Sequence, residues 1–120
     1  MAKLNIGQEF SSHPIGRYYS DGEGSGEQFR EEYLKQALAL LAEGEKLEVI
    51  LDDGVEGYGS SFLVEAFAGL IKFGYIKNSD LNEKLSFIYA DEDFSFYEKK
   101  IFQYIDRAKY GAASYSGGKR

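Results

Sequence analysis

An α/β fold, with helices packed on a small mixed, mostly parallel sheet, follows from three features of this 120-residue chain. Short apolar runs of strand length, "KLNIGQEF", "KLEVILD" and "KLSFIYA", alternate with longer segments of helical periodicity. Gly, Asp and Ser mark the junctions between them. Alternation of this kind favours parallel strands joined by right-handed crossovers, with the N-terminal strands adding at an edge. The length fits one domain, which at this size buries roughly 65% of the surface its unfolded chain exposes.

Leu4, Ile6 and Phe10 set against polar neighbours predict a half-buried first strand, and "IGRYY" after Pro14 predicts a second. The glycine-rich "SDGEGSGE" is a turn, and its Ser25 with Gln28 makes a capping box that starts a helix. In that helix Phe29, Tyr33, Ala37 and Leu41 line up beside Leu34 and Leu38, while Arg30, Glu31, Lys35 and Gln36 take the other side. Gly44 is its expected stop. Leu47, Val49 and Leu51 share one face of the next strand and only Glu48 breaks the other, as expected of a central strand covered on both sides.

A second helix is expected from Ser60 to about Phe73, with Glu65 and Lys72 as its only charged positions. A helix apolar all round is buried on more than one side. "KLSFIYA" is the last strand, and the last helix turns Phe94, Tyr97, Ile101 and Ile105 inward with Asp93 as its N-cap. The domain is placed at residues 1–110, and "GAASYSGGKR", residues 111–120, is expected as a flexible tail.

The formal charge of −6 repels a phosphate backbone, so a nucleic-acid partner is not expected. Basic residues near the C-terminus are interleaved with Glu98 and Asp106 and read as a solvated helix face. Without Cys, and with His13 as the only histidine, thiolate chemistry, disulfides and the usual zinc sets are excluded. His13 has no Ser or Cys in a triad pattern, and no cofactor is expected. No secretory leader is evident, and "FLVEAFAGLI" is interrupted by Glu65 and shorter than the ~20 residues of a membrane span, so the expected location is the cytoplasm.

Ser60 and Ser61 open the apolar helix, either as an N-cap or as the place where a phosphate sits, attached or bound, because helix N-termini favour anions. "GEGSGE" lacks the Gly-Lys-Ser/Thr of a phosphate loop. Asp52, Asp53, Asp91 and Asp93 stand at expected strand C-termini, where α/β sheets gather ligands. They carry the alternative reading, a Mg²⁺-dependent or nucleotide-binding enzyme, although Asp there is also ordinary turn chemistry. Arg17, beside Tyr18 and Tyr19, is read either as an ion pair with an acid of the 21–27 loop or as a partner contact.

"PIGRYYSDGEGSGEQFREEYL" and "VILDDGVEGYGSSFLVEAFAGLI" together resemble the STAS-like domain family of unknown function found in bacteria, archaea and their mobile elements. The resemblance runs from Ile6 through Tyr89 and rests on the GRY, SGExFR and GxGSSFxxEAF patterns. It implies a STAS-type α/β fold and no particular activity. More distantly, "GSSFL" looks like the place in anti-sigma-factor antagonists where an Asp-Ser-Ser-Gly-Leu motif opens a helix and a kinase-like ATPase phosphorylates one serine. Ser60, Ser61 and Leu63 match; Gly59 stands for the aspartate and Phe62 for the glycine.

The expected function is therefore a non-catalytic, regulatory protein-binding module. Its contact face is placed at Tyr58, Ser60, Ser61, Val64 and Ala68, with Arg17 alongside. The expected partner is a histidine-kinase-like ATPase or a second copy of the chain.

Overall fold

The computed structural model describes residues 2–116. Strands β1 (Ala2–Asn5), β2 (Leu47–Ile50) and β3 (Leu85–Ile88) form one sheet in the order β1-β2-β3. Both pairings are parallel, with Ala2 opposite Leu47 and Leu47 opposite Leu85. The α/β class is as expected, and among the described residues the sheet is wholly parallel rather than mixed. β2 is central, but Leu47 and Val49 on one face are buried while Glu48 and Ile50 on the other are only half-buried. Strands added in chain order through crossovers of one hand carry both connecting helices on the same face, which leaves the opposite face more open.

The strand expected to reach Phe10 stops at Asn5 because local bonds take over the backbone. The Asn5 side chain accepts the Gln8 N–H at 3.1 Å, and Glu9 accepts the Asn5 N–H at 2.8 Å. Residues 15–19 form no strand either. The carbonyls of Gly16 and Arg17 accept the N–H groups of Gly26 and Glu27 instead, satisfying donors that a helix start leaves open. Ser25 caps that start as expected, accepting the Gln28 N–H at 3.1 Å.

Helix α1 covers residues 26–39 and ends short of Gly44; α2 covers residues 60–72. Each widens in the middle into a π turn, at Arg30–Leu34 and Val64–Ala68, where an N–H bonds the carbonyl five residues back. They approach closely at glycines. A Cβ on Gly26 would stand 2.5 Å from the Phe62 carbonyl oxygen, and one on Gly69 would stand 2.5 Å from Arg30 Nη1. Phe62, Leu63, Ala66, Phe67, Leu70 and Ile71 are all buried, so α2 is core on more than one side, between α1 and the last helix.

A short α3, Asn78–Lys84, precedes β3, and α4, Ser95–Arg107, follows it with Ile101 and Ile105 buried. Asp93 does not cap α4; its N–H is bound by the Asp91 side chain, which caps the short turn Glu92–Phe94. Beyond α4 the chain returns along α2, Gly111 N–H bonding Ile71 O at 3.0 Å and Ala113 N–H bonding Lys72 O at 3.1 Å. Tyr115 then donates its hydroxyl to Glu27 at 2.6 Å. The segment expected as a tail is thus tied to the domain as far as Tyr115, while residues 117–120 of that expectation lie outside the described residues. Among the described residues no helix is long and apolar enough to cross a membrane.

Candidate functional site

Gly59, with extended backbone, is the N-cap of α2, and no side chain caps the helix. Ser60 and Ser61 are therefore its first two helical residues, not its cap, and both are exposed. Their hydroxyls stand beside the open N–H groups of the first turn, where the helix dipole is positive. Tyr58 departs from the expected contact face. It is only 9% exposed and donates to the Leu51 carbonyl at 2.6 Å, anchoring the loop after β2 in the core. Burial, and then the nearby Asp52 carboxylate, push its phenol well above the usual range.

Further along α2, Val64 is half-buried and Ala68 is nearly covered. Both line a groove of about 420 Å³ between α2, α4 and the turn at residues 108–112. Most of its apolar lining is small, with Gly69, Ala108 and Ala112 joining those two; Tyr104 and Glu65 line it as well. Arg17, Lys72, Arg107 and Lys109 surround it. Among the described residues none of these four cations lies within ion-pair distance of a carboxylate. The fold thus brings Arg17, Val64 and Ala68 together, with Ser61 one turn up the same helix. The expected ion pair of Arg17 with the 21–27 loop is replaced by backbone bonds. Asp21 accepts the N–H groups of Tyr18 at 2.9 Å and Arg17 at 3.0 Å, and these hold its carboxyl below the usual range.

Arg30, placed by the sequence pattern on the polar side of α1, is fully buried. Its Nη1 donates to the Glu65 carboxylate and carbonyl, both at 2.7 Å, and its Nε donates to Glu31 at 2.8 Å. The rings of Phe73 and Tyr115 stand 4.7 and 5.0 Å from the guanidinium. Tyrosines close the shell: Tyr75 donates to Glu31, Tyr19 to Glu32 and Tyr115 to Glu27. Burial and then the Glu31 bond push the Tyr75 phenol up to about 12. The signal for this centre was Glu65 itself. A lone carboxylate in an apolar helix requires a cation, since an unpaired buried charge is too costly to keep.

The four strand-end aspartates do not converge. Asp52 accepts the Ala90 and Asp91 N–H groups, Asp53 accepts from Asn5 and Gln8, and Asp91 accepts from Asp93. Among the described residues no group of three His, Asp or Glu side chains could hold a metal ion. These carboxylates organise loops.

A short parallel sheet, with an apolar helix entered through a glycine-rich loop after its central strand, defines a small α/β module of the STAS type. The family described as STAS-like domain of unknown function (DUF4325) matches residues 25–94, and the chain belongs to it. That stretch runs from the cap of α1 to the turn before α4 and contains the SGExFR and GxGSSFxxEAF patterns, while the GRY at residues 16–18 precedes it. No curated protein and no solved structure matches the chain.

Proposed function

We propose that this domain is a non-catalytic regulatory module that binds a protein partner along one side of α2, from the exposed Ser60 and Ser61 past the half-buried Val64 to Ala68 in the groove below. The observation that carries this reading is the change of character along one helix. α2 is core on its flanks, yet it presents two exposed hydroxyls at its positive end and a cleft of small apolar residues below them. The likeness of "GSSFL" to anti-sigma-factor antagonists supports a finer version, in which the partner is a histidine-kinase-like ATPase. It would transfer the γ-phosphoryl group of ATP to a serine oxygen, releasing ADP and the hydroxyl proton. The added charge of about −1.5 to −2 would then repel an acidic partner surface or recruit an arginine.

A photo-crosslinking residue placed at Ser61 or Val64, with Lys3 on the sheet as control, tests the reading in the native host. The expected result is one protein adduct from positions 61 and 64 that position 3 does not give. An adduct of twice the chain mass identifies a second copy as the partner. The same pattern from all three positions, or none from any, rejects the reading. Mass spectrometry of the native protein showing both serines always unmodified rejects the phosphorylation version alone.

A further inference from the structure

We infer that the groove between α2, α4 and the 108–112 turn seats an acidic amphipathic segment of a protein partner. Its apolar side chains would lie on the small-residue floor and its carboxylates on the cationic rim. This rests on the protein-binding reading above and adds the chemistry of what is bound.

The charge distribution carries the argument. The whole chain has a formal charge of −6, yet this one groove gathers Arg17, Lys72, Arg107 and Lys109 against a single carboxylate, Glu65. Glu65 is already engaged by Arg30 at 2.7 Å. Lys72 and Arg107 close the last turns of α2 and α4, whose C-terminal dipoles favour cations. Each helix end amounts to roughly half a negative charge, about one in all, so four cations leave a clear positive excess. None of the four is in a salt bridge among the described residues; Arg17 and Lys72 lie 6.0 and 5.4 Å from the rings of Tyr18 and Phe73, contacts that leave their charge uncancelled and the positive field open to an incoming group.

The floor decides what kind of anion fits. Val64, Ala68, Ala108 and Ala112 are short side chains that leave room for bulky apolar groups, a feature that a phosphate backbone does not use. A long polyanion would also have to run past the acidic remainder of the surface. A peptide that alternates apolar and acidic residues satisfies both floor and rim, with steering at long range and desolvation at contact.

Selection of the full chain against a displayed library of random peptides tests this without assuming a sequence. Enrichment of peptides combining acidic with large apolar residues is expected. Their binding should weaken with added salt and fall at least about tenfold in Lys72→Glu/Arg107→Glu, two exposed positions whose reversal leaves the circular dichroism unchanged. Enriched peptides that lack acids, or that ignore both reversals, overturn the inference while leaving the protein-binding reading intact. A selection that enriches nothing overturns it as well, and the crosslinking experiment decides the broader reading separately. A single-stranded oligonucleotide that binds and is lost in the double reversal would assign the groove to nucleic acid instead. A sedimentation mass that the double reversal lowers would assign it to a second copy.

Discussion

Arg30 Nη1 stands 2.7 Å from Glu65 Oε2 at the level where α1 and α2 both widen into a π turn. The two side chains are 0% and 7% exposed, so neither charge has water to fall back on. Removing Arg30 strands the buried Glu65, which typically costs about 3–5 kcal/mol, whereas removing Glu65 leaves Arg30 its 2.8 Å bond to Glu31. Arg30→Met should destabilise by about that amount and Glu65→Leu by less, with the double variant well short of their sum. Urea unfolding of the four proteins of this cycle measures the coupling. Strict additivity would show that the bridge is not a unit.

Around that bridge the tyrosines titrate late, and Tyr75 gives the clearest window. Its phenol is pushed from 10.0 up to about 12, by burial first and by its bond to Glu31 second. The folded state therefore favours the neutral phenol. The stability this contributes is complete below about pH 10, the unfolded value, and disappears as the pH rises through about 12. Lys35 Nζ lies 4.2 Å from the same ring, a contact that the Tyr75→Phe ring keeps, so the comparison isolates the phenol. The stability advantage of the parent over Tyr75→Phe should shrink across this interval, as read from urea midpoints. An advantage that stays constant with pH would contradict the assignment.

How legible this was depended on where the structural cause lay. The Ser25 cap, the buried face of β2 and the oily α2 were readable because each is a local pattern whose period matches its structure. α3 was not, since Leu81 is its only buried residue and one apolar side chain has no period. The 15–19 segment reads as a strand by composition, but its carbonyls cap α1, a long-range bond that no local pattern carries. Arg30 was misplaced for the same reason, because its partner Glu65 lies 35 residues away on another helix. The groove combined both situations. Val64, Ala68 and Arg17 were singled out from the sequence, whereas Arg107, Lys109 and Ala112 join them only because the chain turns back along α2.

That returning segment contributes stability of its own. Ending the chain at Tyr110 removes the Gly111 and Ala113 bonds to α2 and the Tyr115 ring from beside Arg30. It also removes the hydroxyl that donates to the buried Glu27. A hydrogen bond to a charged group contributes about 1.5–3 kcal/mol and a neutral one about 1 kcal/mol, against the entropy of ordering the segment. The shortened chain should lose about 1–3 kcal/mol and unfold at lower temperature. Tyr115→Phe should reproduce part of that loss. An unchanged melting temperature in the shortened chain would mean that the segment is held without net gain.

The exposed serines allow a charge to be tested apart from folding. Ser61 is the second residue of α2, next to open N–H groups and the positive end of the dipole, and no side chain caps the helix there. An aspartate at such a position normally stabilises by about 0.3–1 kcal/mol at low ionic strength, and a lysine destabilises to a similar extent. Asp52, Asp53 and Glu56 in the preceding loop oppose the aspartate, which places Ser61→Asp at the lower end of that range and makes it sensitive to salt. Melting curves at two ionic strengths should show Ser61→Asp at or slightly above the parent and Ser61→Lys below it, the gap narrowing as salt is added. With the fold intact in both variants, any difference in partner capture belongs to the contact surface. If Ser61→Asp instead melts well below the parent, the hydroxyl has a structural role and the contact surface must begin at Val64.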